Sequence, residues 1–341
     1  MHTKDFDYSL PKELIAQAPL ESRDESRLLV LDRSNGEIRH SSFRAVPSLL
    51  KPGDLLVFND SRVIRARLIG VLPSSKRDVE LLLLRSQELG RWWCLGKPSR
   101  KIVNGARIVF PEGLEGLVLE SADRGMRLIE FNDETLIEIV GKIPLPPYIH
   151  ETLNDAERYQ TIYAKNLGSA AAPTAGLHFT AQLLEHLQTV GVGLAFVTLH
   201  VGLDTFRPVD EDDPRDHKIH SEYWEIGDET AMAINRAIKE GRRIVAVGTT
   251  SVRTLEQAAL LMDIKGSNVV APGSGWADLF ILPGHTFRLV DAMITNFHLP
   301  RSTLLMLVST FAGSNHITKA YDEAIRLRYR FYSFGDAMLI V

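Results

Sequence analysis

Apolar residues along this chain fall into short runs whose spacing changes character twice. Near the start, RLLVLDR (27–33) and DLLVFND (54–60) are apolar runs of strand length, with an Asn35-Gly36 turn signal between them. Ahead of them, Pro11 to Gln17 predicts a short helix with proline in its first turn. The next stretch differs. VIRARLIGVL, DVELLLLRS, RWWCLGK, ARIVF, LEGLVLES and MRLIEF follow one another between residues 63 and 131, separated by Gly, Pro, Asn or Asp clusters. Many short strands at near-regular spacing predict a small antiparallel barrel or sandwich. A proline-rich linker, KIPLPPYI, closes this stretch at residues 142–149.

Helical and strand patterns then alternate. DAERYQTIYAKN (155–166) and AQLLEHLQTVG (181–191) have helical spacing, the second stopped by Gly191. LAFVTLHV and RRIVAVG are buried-strand patterns, and DETAMAINRAIKEG is a helix with Asp228 as cap and Gly241 as stop. SVRTLEQAALLM, two further helix-like segments and the strand AMLIV complete the chain. The prediction is an α/β protein. Its large domain is discontinuous, residues 1–68 and 150–341, with an inserted all-β domain at residues 69–149.

Composition narrows the class. The 341 residues are 45% hydrophobic and 24% charged, ordinary for a globular chain with room for two cores. The single cysteine, Cys94, excludes an internal disulfide and points to a reducing, cytoplasmic setting. The opening residues lack the apolar centre of a signal peptide. The most apolar late stretch, TLLMLVSTFAG, is far short of the roughly 20 residues that span a bilayer, so no membrane association is expected. Net charge is −4, yet eleven basic residues against three acidic lie between Arg62 and Arg107. Such a segment can hold a phosphate backbone; strands presenting Lys and Arg to water read the same way. The modest charge gives no push to assemble, and a monomer is expected.

Several breaks between elements could carry chemistry. VAVGTTSVRTLE joins a strand, a tight turn and a helix start, where unpaired N–H groups and the helix dipole favour an anion. Gly248 admits close approach, Thr249, Thr250 and Ser251 add hydroxyls, and Arg253 adds a charge; simple helix capping is the alternative. His200 ends an apolar strand, and Asn296 and His298 sit at the next such break. Strand ends often line active sites in α/β folds, although a lone histidine there is as readily a satisfied core residue. Asn59, Asp60 and Arg62 form either a turn or a ligand cluster. His217 and His220 raise the question of a metal, but no cysteine lies near and an acidic loop precedes them, so none is expected. No HExxH, P-loop or GxGxxG occurs in the required context.

The strings AAPTAGLHFT, TLHVG, VGTTSVRTLE, DAMITNFHLPRSTLLMLVSTFAG and YRFYSFGDAML closely resemble the S-adenosylmethionine:tRNA ribosyltransferase-isomerase family of queuosine biosynthesis. DFDYSLPKELIAQAPL, SRLLVLDR and PGDLLVFNDSRVI fit as well, so the resemblance spans nearly the whole chain. It departs at Ser61, where the family usually has Thr, at Arg65, where it has Pro, and at Leu203-Asp204, where it has a small pair. The resemblance implies a barrel-like α/β large domain with an inserted β-barrel. It implies transfer and isomerisation of the ribosyl moiety of S-adenosylmethionine, as co-substrate, onto 7-aminomethyl-7-deazaguanine at the tRNA wobble position. Epoxyqueuosine-tRNA, adenine and methionine are the products.

That chemistry needs a base beside the sulfonium-acidified ribose carbon and a proton for the departing adenine. His178, His200, His298 and Asp60 are candidates, in no fixed order. In AAPTAGLHFT, Pro173 and Gly176 would shape a rigid loop, Thr174 and His178 would offer contacts, and Thr180 would cap the next helix. The methionine carboxylate would rest on Gly248–Ser251 with Arg253. Arg62, Arg65, Arg67, Lys97, Arg100 and Lys101 would meet tRNA phosphates. An RNA methyltransferase is a competing reading, but it would need a glycine-rich loop after its first strand, which is not evident. A non-catalytic RNA binder built on the β module is another.

Overall fold

The apolar runs flanking the Asn35-Gly36 turn form strands β1 (Arg27–Leu31) and β3 (Leu55–Asn59), with β2 (Ile38–Ser42) and the single turn α1 (Val46–Leu49) between them. The structure is a computed structural model and describes residues 1–122, 125–151, 153, 155–202, 208–264 and 269–341. The chain divides into two compact units. Residues 1–62, 147–166 and 172–341 form one; residues 63–146 and 167–171 form the other.

A short strand, β4 (Ser61–Val63), precedes the second unit's six strands: β5 (Arg67–Leu72), β6 (Arg77–Glu88), β7 (Arg91–Lys97), β8 (Arg107–Val109), β9 (Glu115–Ser121) and β10 (Met126–Phe131). They close into an antiparallel barrel in the order β10-β7-β6-β5-β8-β9, followed by the short helix α2 (Ile137–Val140). Residues of β5 alternate between solvent and interior, as the pleat requires. The barrel fills with Leu68, Leu81, Leu83, Cys94, Ile108 and Ile129. Gly70 belongs to the packing: a Cβ there would sit 2.6 Å from the Phe110 ring. Ile64, Ala66 and Leu68 also bury in this core, so the boundary expected at residue 68 falls after Arg62. Apolar side chains at a junction follow whichever core covers them.

After β11 (Asn166–Ser169) the chain runs through α3 (Ala181–Thr189), β12 (Gly193–Leu199), β13 (Glu222–Ile226), α4 (Asp228–Lys239) and β14 (Ile244–Val247). Then come α5 (Thr249–Ile264), β15 (Gly273–Ala277), β16 (Ala292–Asn296), α6 (Thr303–Ala312), α7 (Ser314–Arg326) and β17 (Ala337–Ile340). Nine strands make one mixed sheet, in the order β15-β13-β12-β3-β14-β16-β17-β1-β2. The central four, β12, β3, β14 and β16, are mutually parallel. The fold is thus α/β with a small closed antiparallel barrel, as expected. Leu28, Phe43, Phe58, Phe179, Val245 and Ile294 belong to the core of the large unit. Among the described residues, no helix is long and apolar enough to cross a membrane.

Three local expectations are corrected. Pro11–Gln17 forms only a 3-10 turn, Lys12–Leu14, because Ile15 turns extended and bridges to Phe331. Residues 155–166 form a 3-10 turn, Ala156–Tyr159, rather than a helix. Tyr159 packs edge-on to Phe334 and Tyr163 to Phe58, and Gln160 between them is extended. Two aromatic anchors facing different neighbours override the helical spacing. The cap of α4 is Gly227, with Asp228 as the first helical residue. Thr180 caps α3 through its side chain, as expected.

Phe179 is fully buried and edge-on to both Phe43 and Phe58, with centroids 4.9 Å away in each case. Phe179→Ala is expected to destabilise the large unit by about 3–5 kcal/mol, measured by chemical denaturation.

Candidate active site

Parallel strands end at the same side of a sheet, and in open α/β sheets that side is where ligands bind. Here β3, β12, β14 and β16 end at Asn59, Leu199, Val247 and Asn296. An open cavity of about 630 Å³ lies among the segments leaving β12, β14 and β16. Thr174, Gly248, Thr249, Thr250, Asn296 and His298 all line it, so six of the residues singled out from sequence share one cleft. Tyr148, Thr295, Ser302 and Tyr332 line it too and were not foreseen.

The helix start forms one wall. Gly248 adopts φ 88°, a turn that favours glycine, and its N–H donates to the Ile294 carbonyl at 2.8 Å. Thr250 Oγ1 is buried and has no hydrogen-bond partner among the described residues. Ser251 instead donates back to the Val247 carbonyl at 2.8 Å and is wholly buried, the helix-binding use of serine. Arg253 also turns away from the cavity. It forms a buried ion pair with Glu222 and donates to the Leu279 carbonyl at 3.3 Å. Burial pushes the Glu222 carboxyl up, but Arg253, His220 and the Gly202 N–H outweigh it and hold the group at about 2. The Arg253 charge is thus matched by a carboxylate of β13.

Asn296 organises the opposite wall. Its Nδ2 donates to His178 Nε2 at 3.1 Å and to the Tyr332 carbonyl at 3.2 Å, while its Oδ1 accepts from Thr174 Oγ1 at 3.0 Å. Since Asn296 donates to His178 Nε2, the proton of His178 sits on Nδ1 and goes to Ser26 Oγ, 2.8 Å away. Both ring nitrogens are thereby engaged. Burial pushes the His178 pKa down to about 4. Tyr332 takes φ 73°, rare outside glycine, and its ring meets that of Tyr148 at 4.8 Å. The aromatic run YRFYSFG was a signal in the sequence, but only the fold turns one tyrosine toward the cleft.

His298 is held from both sides of its backbone. Its N–H meets Tyr321 Oη at 2.9 Å, and its carbonyl accepts from Tyr8 Oη. Its Nε2 lies 2.7 Å from Thr295 Oγ1, and burial pushes its pKa down to about 3.

Other candidates lie outside this cavity. Asn59 stitches β3 to β12, donating to the Leu199 carbonyl at 2.9 Å and accepting from the Leu199 N–H at 3.0 Å. Its polar atoms are spent on main chain. Asp60 accepts from Thr198 Oγ1 at 2.7 Å and from Asn166 Nδ2 at 3.1 Å. His200 stacks on Tyr223, and its buried Nδ1 has no partner among the described residues. Burial lowers its pKa against the opposing pull of Asp60 and Glu225. Arg62 pairs with Glu157 at 2.5 Å on a partly exposed surface. At Gly176 an added Cβ would lie 2.1 Å from Tyr163 Oη, so this glycine serves packing rather than ligand approach. His217 and His220 bond to separate carboxylates, Glu211 and Glu222. Leu203-Asp204 lies outside the described residues.

A family model described as Queuosine biosynthesis protein matches residues 3–340. The chain belongs to that family. Proteins named S-adenosylmethionine:tRNA ribosyltransferase-isomerase from Symbiobacterium thermophilum and Carboxydothermus hydrogenoformans are each 55% identical to it over 100% of both chains. The one from Staphylococcus haemolyticus is 50% identical over the same extent. A crystal structure of S-adenosylmethionine tRNA ribosyltransferase from Thermotoga maritima is 41% identical, with a TM-score of 0.57 over 99% of this chain and 100% of that one. This member of the queuosine biosynthesis family is an enzyme, a transferase of the ribosyltransferase-isomerase class.

On the enzyme's second unit, Arg65, Lys97, Arg100 and Lys101 are exposed. Arg67 is exposed too but pairs with Glu80 at 2.8 Å; Arg91 pairs with Glu130 and Arg107 with Glu115. The basic excess of this segment is thus partly matched within the barrel.

Two outcomes are expected. Arg253→Ala strips the buried guanidinium from Glu222, which keeps His220 and the Gly202 N–H, and destabilises the enzyme by about 3–5 kcal/mol in denaturant titrations, while the folded fraction keeps its co-substrate affinity. His178 and His298 stay neutral in the folded state to about pH 4 and 3, whereas the unfolded chain takes up protons below about 6.5. The unfolded state binds more protons there, so stability falls as pH drops below 6.5, by up to about 1.4 kcal/mol per pH unit for each imidazole. His178→Asn should flatten that slope in pH-dependent melts.

Proposed function

We propose that this enzyme transfers and isomerises the ribosyl moiety of S-adenosylmethionine onto 7-aminomethyl-7-deazaguanine at the tRNA wobble position, releasing adenine and methionine. The observation that carries this reading is the meeting, in one cleft, of a helix start with an orphaned hydroxyl and a buried neutral imidazole. The names of the full-length relatives support the substrates. We read the large unit as catalytic, the barrel as a surface for tRNA phosphates through Arg65, Arg67, Lys97, Arg100 and Lys101, and the setting as cytoplasmic.

The co-substrate brings a carboxylate, a sulfonium and an adenine, and the cleft offers a place for each. The carboxylate rests at the start of α5, where Gly248 exposes main chain and Thr250 Oγ1 gains the partner it lacks. Tyr148 and Tyr332 give an aromatic wall for a flat base. His298 is the base that takes the proton from the ribose carbon beside the sulfonium. In this reading Thr295 Oγ1 donates to the Asn296 carbonyl at 3.3 Å and accepts from His298 Nε2–H at 2.7 Å, the tautomer in which Nδ1 is the accepting nitrogen. Burial keeps this imidazole unprotonated at physiological pH but makes it a weak base, so it depends on the sulfonium to acidify the proton it takes. His178 is a positioning residue: it orients Asn296, which in turn holds Thr174 and Tyr332. Asp60 and His200 sit at neighbouring strand ends and are the reserve candidates for proton transfer to adenine. The anticodon-loop base is single-stranded and can splay into such a pocket at modest cost.

The test is product analysis. Enzyme, S-adenosylmethionine and tRNA bearing 7-aminomethyl-7-deazaguanine should release adenine and methionine in equal amounts and yield a heavier nucleoside. Release of S-adenosylhomocysteine would mean methyl transfer and would end this reading. Thr250→Val keeps the shape and removes an unsatisfied hydroxyl. It should leave stability unchanged or higher, yet weaken S-adenosylmethionine binding about tenfold in calorimetry. Unchanged affinity would remove the carboxylate from the α5 start.

A further inference from the structure

A second, smaller cavity of about 290 Å³ lies in the same unit, lined by Arg23, Arg158, Arg330, Ser26 and His178, among others. It shares Ser333 with the large cavity, and the His178–Asn296 hydrogen bond runs between the two. Three guanidinium groups on one small cavity repel one another, an arrangement that costs stability unless an anion joins them. Nearby carboxylates offset it only in part: Asp155 and Glu157 pull on Arg23, and Asp336 pairs with Arg330. Arg23 donates to the carbonyls of Leu177 (3.3 Å) and Glu157 (3.0 Å), and Arg158 to those of Glu21 and Leu20. These are dipoles, not charges. The Nε of Arg158 is buried with no partner among the described residues. Arg330 faces Asp336 only at 3.6 Å, and Asp336 is already held by Arg27 through a 3.1 Å bond from Nε. The Glu157 carboxylate is held by Arg62. Burial, then repulsion from Arg158, lowers the pKa of Arg23, as expected where like charges crowd.

We propose that the Arg23–Arg158–Arg330 cavity binds a backbone phosphate of the tRNA, next to the modified nucleotide, and so fixes the base in the adjoining cleft. The proposal rests on the function above. Guanidinium forks suit phosphate oxygens, which accept paired bonds, and the unused Nε of Arg158 is such a donor. The carboxylate of the co-substrate already has its place at the α5 start. The remaining polyanion in the reaction is the RNA. A phosphate here would also touch the wall that His178 holds, so RNA binding and the geometry of Asn296 would be linked.

The experiment measures binding of the substrate tRNA by fluorescence anisotropy across a salt series, and of S-adenosylmethionine by calorimetry. It compares the parent with Arg330→Ala, Arg158→Lys and Arg326→Ala. Arg326 is exposed on α7, pairs with Glu323 and lines neither cavity, so it is the control. Arg158 also ties down two carbonyls, so Arg330→Ala is the primary variant and Arg158→Lys, which keeps the charge, the secondary one. Arg330→Ala should weaken tRNA about tenfold and lower the salt slope by about 0.7, the loss of one single-strand phosphate contact. Its S-adenosylmethionine affinity should be unchanged. An unaltered slope and affinity in Arg330→Ala, together with an unaltered affinity in Arg158→Lys, would overturn the proposal. Loss of S-adenosylmethionine affinity with tRNA binding intact would also overturn it, assigning the cavity to the carboxylate. A parent enzyme that neither binds tRNA nor releases adenine would instead strike the proposed function itself.

Discussion

The amide of Asn296 is the fastening on which the candidate active site depends. It ends β16, is almost fully buried, and spends its polar atoms on three residues in two segments: Thr174, His178 and Tyr332. A buried amide left short of partners is costly, so each bond holds its segment in place. One side chain therefore draws the Pro173–His178 turn and the C-terminal bend together as a wall. The network also sets which nitrogen of His178 carries a proton, and with it the bond to Ser26.

Burial supplies the rest of the chemistry. His178 and His298 are both kept uncharged by loss of water, but their environments differ in what is left to do. His178 has both nitrogens bound, while His298 faces the cleft with one bond to Thr295. The same rule separates the arginines. Arg253 meets a buried carboxylate and becomes part of the frame. Arg23 and Arg158 donate to carbonyl dipoles instead, with no carboxylate bonded to either among the described residues.

Some of this was legible in the chain. The apolar runs named the strands of both units, and the polar breaks after them named Gly248, Thr250, Asn296 and His298, which meet in one cleft. That works because a strand must end in polar groups where it leaves the core, and parallel strands end together. Other residues at similar breaks looked identical. Asn59 and Ser251 carry the same donors and acceptors, yet their own main chain consumes them. Nothing local distinguishes a hydroxyl that bonds backward along its helix from one, at Thr250, that finds no partner.

Local pattern and composition by themselves determined the alternation of elements, the α/β class with its inserted all-β unit, and the small set of polar positions able to face a ligand. Those properties follow from neighbours in sequence: periodicity, turn residues and strand ends. Tertiary structure alone decided the rest. It placed Glu222 against Arg253, 31 positions apart. It bent Tyr332 toward Tyr148 and gathered Arg23, Arg158 and Arg330 around one cavity. Charge matching and burial depend on residues far away in the chain, and those contacts exist only once the sheet has ordered them.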